Sequence, residues 1–279
     1  MINFNGSIVD YAQVQLENNR GLLYGDAVFE TVKVVDGRIL FSEDHYFRLM
    51  ASMRVVRMEI PMNFTLEYFE AQIVDLVATN GHSNAARARI TVYRNDGGRY
   101  LPCENNVSFL VTSEGLPDIL YRIENQTYEV DLFRDFYMTK QLLSSIKSTN
   151  RLLNVTASIY ARENGLQNCL LLNDEKNVVE AINGNVFMLT NGKLLTPPVS
   201  EGCINGVMRR QILALSKNIE GIEVEESVIS PFDLQKADEI FITNIIMGIQ
   251  PVTQYRKKQF ESELSEKLLQ KLNAKVRLG

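Results

Sequence analysis

Residues 28–41 read VFETVKVVDGRILF, and the pair Asp36-Gly37 separates two apolar runs within this stretch. An Asp-Gly pair is a strong signal for a tight hairpin, because both central positions of the turn need positive φ. We therefore predict two antiparallel strands, over 28–35 and 38–41. The rest of the N-terminal fold is built outward from this hairpin.

Helical patterns and two further strands follow the hairpin. Ser42 is placed to cap a helix that runs to about residue 57. Apolar residues at helical spacing predict a second helix over 65–79, which Asn80-Gly81 ends. Alternation of apolar and polar residues predicts half-buried strands over 86–93 and 107–111. Residues 1–112 are therefore expected to form a small α+β domain.

Gly115 and Pro117 mark the best candidate for a linker, which we place at 113–122. Beyond it we predict a strand at 127–133, a helix at 150–163, hairpins within 170–182 and 186–196, a helix at 206–216, a strand at 239–243 and a helix at 260–272. Residues 123–279 should thus form a second, strand-rich domain with its helices packed outside.

Composition excludes several classes of protein. The chain has 279 residues, of which 45% are hydrophobic and 23% charged, and a net charge of −5 disfavours binding to nucleic acid or anionic membranes. No apolar run approaches the length of a membrane span, and the N-terminus does not resemble a signal peptide. Three distant cysteines favour a reduced, cytoplasmic location. Only two histidines and no CxxC pair argue against a zinc site.

A lysine and a distant carboxylate are the most informative chemical pair. Lys147 lies in residues 144–152, SSIKSTNRL, and Glu180 follows 33 positions later. Pyridoxal phosphate (PLP) needs an amine that forms a Schiff base and a carboxylate that faces the pyridine nitrogen. Taken alone, each residue is more often a solvated surface charge. Their neighbours therefore decide the interpretation.

Three further groups are candidates for binding anions. Residues 202–209, GCINGVMR, bring two glycines to the start of a predicted helix, where backbone N–H groups favour an anion. Arg48 shares a helical face with His45 and has the forked geometry that suits phosphate. Arg94 and Arg99 flank the loop NDGG and are candidates for a substrate carboxylate. The ordinary alternatives are a loop-to-helix junction, a solvated arginine and a surface hairpin.

Taken together, these residues resemble the class IV aminotransferase family, the PLP enzymes of fold type IV. Seven blocks occur in family order: 24–31 (YGDAVFET), 45–49 (HYFRL), 146–150 (IKSTN), 180–187 (EAINGNVF), 194–196 (LLT), 206–209 (GVMR) and 241–244 (FITN). The resemblance covers nearly the whole chain. It implies a small N-terminal α+β domain, a larger C-terminal pseudo-barrel, PLP in the cleft between them, and a homodimer.

The resemblance also implies roles for individual residues. Lys147 would hold PLP covalently and transfer the proton. The other expected cofactor-binding residues are Arg48, Glu180, Val207, Met208 and Ile245, with Ile245 at a position where branched-chain enzymes offer a threonine hydroxyl to the phosphate. The expected substrate-side residues are Phe29, Thr31, Lys33, Arg94 and Arg99, with Arg94 at a position that reaches in from a partner subunit in D-amino acid enzymes.

The branch of the family is a separate question. The segment Lys147-x-x-Asn150-Arg151-Leu152 and the loop 97–100 resemble the aminodeoxychorismate lyases, whereas 28–30 also resembles the D-amino acid branch. The leading hypothesis is a lyase that forms p-aminobenzoate and pyruvate from 4-amino-4-deoxychorismate. The first alternative is an aminotransferase acting on branched-chain or D-amino acids with a 2-oxo acid acceptor. A non-catalytic binding protein on the same scaffold is the second.

Overall fold

The computed structural model describes residues 1–11, 16–82, 84–124 and 126–278. The chain forms two compact units, of which the first comprises Met1–Ile119 and Ile146–Asn150 and the second comprises Leu120–Ser145 and Arg151–Gly279. The division at residue 119 falls inside the linker predicted at 113–122. Residues 146–150 had been assigned to the second domain but belong to the first unit, because Ile146 is buried in its core.

The first unit is a six-stranded antiparallel sheet with two long helices. Its elements are β1 (Ile2–Phe4), β2 (Ser7–Val9), α1 (Arg20–Tyr24), β3 (Ala27–Val35), β4 (Arg38–Ile39), α2 (Ser42–Val55), α3 (Leu66–Thr79), β5 (Ala85–Arg94) and β6 (Val107–Gly115). The strand order is β2-β1-β6-β5-β3-β4. Since β6 continues to Gly115, the first residues of the predicted linker are strand.

The predicted hairpin is confirmed. Asp36 and Gly37 both have positive φ, 48° and 72°, between the paired strands β3 and β4. The prediction that Ser42 caps α2 is wrong, because Ser42 is already helical and the cap position is held by Phe41 with φ 55°. Thr65 caps α3 as its residue type predicts, accepting a hydrogen bond from the N–H of Tyr68 at 3.2 Å.

The core of the first unit lies on one face of the sheet only. Val28, Val32 and Val34 of β3 pack there against α2 and α3, and their side chains are at most 1% exposed. Successive strand residues point to opposite faces. Phe29, Thr31 and Lys33 therefore share the other face of β3, away from this core.

The second unit contains two five-stranded sheets. Its elements are β7 (Glu129–Met138), α4 (Leu142–Ser145), α5 (Leu152–Glu163), β8 (Asn168–Asn173), β9 (Val178–Ala181), β10 (Asn185–Thr190), β11 (Lys193–Thr196), α6 (Val207–Ser216), β12 (Glu223–Glu226), β13 (Glu239–Asn244), β14 (Gly248–Val252), β15 (Gln254–Tyr255), β16 (Lys258–Gln259) and α7 (Glu263–Leu278). The orders are β12-β11-β10-β13-β14 and β16-β15-β7-β8-β9. Both sheets contribute to one apolar core, so the predicted pseudo-barrel is confirmed.

Helix ends in the second unit follow local chemistry. Gly165 has φ 70° and ends the turn after α5, as predicted. The buried carboxylate of Glu239 accepts hydrogen bonds from the N–H groups of Leu264 and Ser265 and so caps α7. Helix α6 begins after Gly206 without any side-chain cap. Each helix of the described residues is too short or too polar to span a lipid bilayer.

Candidate active site

The segment around Lys147 extends an edge of strand β3. The N–H of Phe29 donates to the carbonyl oxygen of Lys147 at 2.8 Å, and the N–H of Thr149 donates to the carbonyl oxygen of Ala27 at 3.0 Å. Strand β5 fills the other edge of β3 along its whole length. The backbone of Lys147 is thus held by strand-like hydrogen bonds, although it lies outside any regular element.

The side chain of Lys147 lies beside the aromatic ring of Phe29. Its Nζ is 4.4 Å from the ring centroid, and the guanidinium carbon of Arg89 lies 3.6 Å from the same centroid. A cation over an aromatic face is attracted by the ring quadrupole. Phe29 therefore brings a candidate catalytic amine and an arginine together within the first unit.

Arg89 is a site residue that the sequence reasoning missed. It pairs in register with Thr31, and directly opposite residues of antiparallel strands share a face. The face that carries Phe29, Thr31 and Lys33 therefore also carries Arg89. The alternation of 86–93 contained this signal, because Arg89 belongs to its polar half.

Lys33 adds a buried cation to this face. Its side chain lies on β3 two residues beyond Thr31, and the residue is only 2% exposed. Burial lowers the pKa of Lys33 to about 8, and the charge of Asp118 opposes this shift. Its protonation therefore changes within the range in which enzymes are assayed.

Arg48 is held by a buried carboxylate. Its Nε donates to Oε1 of Glu30 at 2.6 Å, and its Nη2 donates to Oε2 of Glu30 at 2.7 Å. The Nδ1 of His45 lies 2.8 Å from the same Oε2. Glu30 and His45 are fully buried, and the Arg48 side chain is 12% exposed. Arg48 and His45, which were predicted to share one face of the helix, thus both contact Glu30.

The protonation states of this group follow from its partners. Burial alone would raise the pKa of Glu30, but the charge of Arg48 and the hydrogen bonds from His45 and Arg48 hold it at about 2. Burial lowers the pKa of His45, as do the charges of Arg48 and Lys147, whereas the contact with Glu30 raises it. We infer an ionised Glu30 and a neutral His45. Because an ionised carboxylate only accepts, His45 carries its proton on Nδ1.

Arg94 lies on the opposite face of β5 from Arg89. It is 5% exposed, and its Nε donates to Asp26 at 2.9 Å and its Nη1 to the side-chain oxygen of Asn105 at 2.5 Å. Two backbone carbonyls, of residues 56 and 57, accept its remaining contacts. Arg94 therefore connects segments of the first unit to one another. Strand alternation directs it away from Phe29, and its role at the substrate carboxylate remains a prediction.

Arg99 lies in a loop that Arg20 fixes. The Nη1 of Arg20 donates to the carbonyl oxygens of Gly97 at 3.0 Å and Arg99 at 2.6 Å, while its Nε donates to Asp26 at 2.9 Å. The side chain of Arg99 is exposed. The loop backbone is thus ordered while Arg99 points to the surface, and its role remains a prediction.

Glu180 lies on β9 in the second unit and is 3% exposed. Its Oε2 accepts a hydrogen bond from the backbone N–H of Ile204 at 2.9 Å. The carbonyl oxygen of Ile204 in turn accepts from Nδ2 of Asn185 at 2.8 Å. The predicted carboxylate is therefore bonded to the turn that precedes α6.

The same turn leads into the predicted anion site. A Cβ added to Gly206 would lie 2.0 Å from Oδ1 of Asn185, so close packing requires glycine there. Val207 and Met208 begin α6 and are both buried. The first N–H groups of a helix have no partner within it and carry the positive end of its dipole. This start can therefore bind an oxyanion.

A buried hydroxyl lies on the strand that pairs with Asn185. Thr243 is 1% exposed, and its Oγ1 has no hydrogen-bond partner among the described residues. Thr243 pairs in register with Asn185, so both side chains lie on the same face of the sheet. Ile245, two residues later, is buried, and its carbonyl oxygen accepts from the Tyr121 hydroxyl at 2.8 Å. Ile245 has no hydroxyl, and Thr243, two residues earlier in the chain, supplies one.

Each unit, taken by itself, carries groups of the kinds that suit a phosphorylated organic cofactor. The second unit has an uncapped helix start, a buried carboxylate and a hydroxyl with no partner among the described residues, and the first unit has Lys147 and a forked arginine. Among the described residues, no three His, Cys, Asp or Glu side chains are grouped to hold a metal ion. The residues present are therefore of the kinds that PLP requires.

Several solved structures share the fold of this chain. A branched-chain aminotransferase from Thermoproteus uzoniensis matches with a TM-score of 0.87 at 21% identity, covering 99% of this chain and 94% of that one. A Thermobaculum terrenum branched-chain enzyme in its PLP form matches at 0.85 and 22%, covering 99% and 93%. A Legionella pneumophila protein provisionally assigned as a 4-amino-4-deoxychorismate lyase matches at 0.81 and 23%, covering 92% and 93%. The fold is that of fold type IV PLP enzymes.

Residues 27–255 match the family model "Amino-transferase class IV", and the chain belongs to this family. A Methanocaldococcus jannaschii protein provisionally assigned as a branched-chain-amino-acid aminotransferase is 30% identical, covering 99% of this chain and 95% of that protein. The D-alanine aminotransferase of Bacillus licheniformis is 26% identical, covering 90% and 86%. The chain is accordingly a PLP-dependent enzyme, and the predicted cofactor is confirmed.

Proposed function

We propose that this PLP enzyme is a lyase that cleaves 4-amino-4-deoxychorismate to p-aminobenzoate and pyruvate. The observation that carries the proposal is the cationic face of the first unit, where Lys33 and Arg89 accompany Phe29 and Thr31. Aminodeoxychorismate has two carboxylates, and charge-assisted hydrogen bonds from cations are the strong ones. The Lys147-x-x-Asn150-Arg151-Leu152 segment supports the same branch.

An aliphatic substrate would interact weakly with the face that carries Lys33 and Arg89. A branched aliphatic side chain offers Lys33 and Arg89 no negative charge with which to interact. A carboxylate would instead pair with them. We therefore assign the anionic part of the substrate to Lys33 and Arg89, and its ring to the aromatic face of Phe29.

Lys147 is the proposed catalytic residue. When bound, PLP supplies an electrophilic carbon for the amine and a ring that withdraws electrons from the carbon bearing nitrogen. Lys147 would hold the cofactor covalently until the substrate amine takes its place, and the freed amine of Lys147 would then remove the proton at C4 of the substrate. The electron pair left at C4 forms the C3–C4 double bond of the aromatic ring as the C3–O bond breaks. The departing enolate takes up a proton on its CH₂ carbon and becomes pyruvate, and Lys147 would displace the amine of p-aminobenzoate.

The remaining residues hold the cofactor in this proposal. Arg48 would donate to the phosphate. The N–H groups of Val207 and Met208 and the hydroxyl of Thr243 would be further phosphate donors, and Ile245 would contribute an apolar side chain. Glu180 would accept a hydrogen bond from the pyridine nitrogen and so keep it protonated.

The direct test is incubation of the purified holoenzyme with 4-amino-4-deoxychorismate, with p-aminobenzoate measured by fluorescence and pyruvate by a coupled assay. Equal amounts of both products are expected. A Lys147→Ala variant serves as the blank for non-enzymatic breakdown. Turnover of amino acids without p-aminobenzoate formation would reject the lyase.

An aminotransferase is the second candidate, and the similarity to branched-chain and D-alanine aminotransferases favours it. Lys147 would still remove the proton, but it would return the proton to the cofactor's own carbon, and a 2-oxo acid would be released. Single-turnover spectra with D-alanine, L-leucine and glutamate separate the two. Conversion of the cofactor to its amine form by any of them supports this candidate.

We also propose that the protein forms a homodimer. Leu152, Val155 and Ile159 occupy one face of α5 and are 75%, 52% and 42% exposed. Exposed apolar faces of this kind mark interaction surfaces. Light scattering after size exclusion should give twice the chain mass. A monomer at micromolar concentration would contradict the proposal.

A further inference from the structure

Glu30 approaches the Arg48 guanidinium with both carboxylate oxygens. The two contacts join Nε to Oε1 and Nη2 to Oε2, at 2.6 and 2.7 Å. Two parallel bonds of this kind fix the plane of the guanidinium, whereas a single bond would leave it free to rotate. Glu30 is itself immobile, since it lies in β3 and is 0% exposed.

We infer that Glu30 is a positioning residue for the cofactor phosphate, acting through Arg48. This inference rests on the proposed role of Arg48 as a phosphate donor. The fork uses Nε and one N–H of Nη2, so Nη1 lies outside it. Because Glu30 fixes the plane, it also fixes the directions of the guanidinium N–H bonds that lie outside the fork.

His45 completes the arrangement. Its Nδ1–H donates to Oε2 of Glu30 at 2.8 Å, and its Nε2 has no hydrogen-bond partner among the described residues. Oε2 thus accepts from two donors while Oε1 accepts from Nε of Arg48. A carboxylate whose two oxygens both accept hydrogen bonds keeps one orientation. The direction of the guanidinium therefore depends on Glu30 and on His45, which holds Glu30 in place.

The inference predicts a specific defect in binding. A Glu30→Gln substitution keeps the size of the side chain but places an amide N–H₂ where one oxygen accepted from Arg48. The fork is then lost, and Arg48 no longer holds one direction. Affinity for a ligand with a phosphate should fall, while affinity for the same ligand without a phosphate should not.

The experiment compares PLP with pyridoxal, which lacks the phosphate, on the full chain after removal of the cofactor. Dissociation constants are measured from the absorbance of the bound form. Glu30→Gln should weaken PLP binding roughly tenfold or more and leave pyridoxal within about twofold. Arg48→Ala should remove the same preference, and the double variant should lose nothing beyond Arg48→Ala, because both changes remove one interaction.

Glu239→Gln is the matched control. It makes the same change in another buried carboxylate, which caps α7 through the N–H groups of Leu264 and Ser265. It should lower thermal stability and leave the preference for PLP over pyridoxal at the wild-type value. If Glu30 had only a structural role, Glu30→Gln would likewise lower thermal stability and leave the preference for PLP over pyridoxal at the wild-type value.

Arg48→Lys covers the case in which Glu30→Gln does not fold. Lysine keeps the charge but cannot make a fork, so the preference for PLP should fall. A wild-type preference in either Arg48→Lys or Glu30→Gln, with the preference lost in Arg48→Ala, would overturn the inference alone. A preference that survives Arg48→Ala would instead reject the proposed phosphate role of Arg48.

Discussion

The backbone N–H of Phe29 donates a hydrogen bond to the carbonyl oxygen of Lys147, 2.8 Å away, although 118 positions separate the two residues. This bond makes the Lys147 segment a short additional strand on β3. The same strand carries Phe29, Thr31 and Lys33 on one face, and Glu30 on the other. The backbone of Lys147 and the candidate substrate face therefore belong to the same sheet. The predictions for Lys147 and Lys33 depend on this arrangement.

Replacement of Lys147 by alanine should abolish both catalysis and covalent binding of the cofactor. We expect turnover to fall by about 1,000-fold or more, because the variant lacks the group that transfers the proton. The absorption band of the covalently bound cofactor should also disappear. Lys193→Ala is the control, since Lys193 is an exposed lysine that pairs with Glu223 at 3.3 Å on β11. Turnover by Lys147→Ala at the wild-type rate would refute the assigned role.

Lys33 should make substrate affinity depend on pH. Its pKa is lowered to about 8 by burial, so the side chain is charged below this pH and neutral above it. Since the cation attracts the carboxylate, KM for an anionic substrate should rise as pH passes upward through about 8.

A Lys33→Arg variant tests this pH dependence, because arginine stays charged over the whole range. The ratio of KM in wild type to KM in Lys33→Arg should increase between pH 7 and 9.5. Lys33→Met should show a KM roughly tenfold higher at pH 7, from the loss of one charge-assisted hydrogen bond. A ratio that does not change with pH would remove Lys33 from the substrate site.

Gly206→Ala should destabilise the second unit through a steric clash. The added Cβ would meet Oδ1 of Asn185 at 2.0 Å, and overpacking of this kind costs about 1–3 kcal/mol. Shortening the partner removes the clash, so Gly206→Ala combined with Asn185→Ala should cost less than the sum of the two single changes. Thermal unfolding of the cofactor-free protein measures this. Strict additivity would show that the two residues are not in contact.

Thr243→Val should have opposite effects on stability and on cofactor binding. The hydroxyl is buried without a partner among the described residues, so replacing it with a methyl group of similar size should stabilise the cofactor-free protein by about 1 kcal/mol. Affinity for PLP should fall, because a phosphate donor is lost. Ser216→Ala is the control, since Ser216 is an equally buried hydroxyl without a partner at the far end of α6. Equal PLP affinities of both variants and wild type would exclude Thr243 from the phosphate site.

Local signals predicted most of the secondary structure. Asp36-Gly37 and Asn191-Gly192 mark hairpins in the chain, and both pairs have the positive φ values that their residue types favour. The cap of α2 was not predictable in this way, because Phe41 takes φ 55° without any local preference for it. Its own residue type does not favour this conformation.

The two arginines of β5 show what sequence reasoning could not decide about the site. Arg94 was proposed for its place beside a glycine-bearing loop, and its side chain donates to four acceptors: the Asp26 carboxylate, the Asn105 side-chain oxygen and the backbone carbonyls of residues 56 and 57. Arg89 was passed over, although it lies over Phe29. Both residues are arginines in one strand, so only the register with β3 tells which one faces Phe29.

The order of motifs along the chain was sufficient to predict the family and the cofactor, because these depend on residue type and spacing. It also singles out Lys147 as the candidate reactive lysine. The pairing of strands decided the rest. It joined residues 146–150 to the first unit, bonded Glu180 to the turn before α6, and placed Glu30 between Arg48 and His45. These contacts link residues that are distant in sequence, and no local preference of the chain encodes which hydrogen-bond partners they meet.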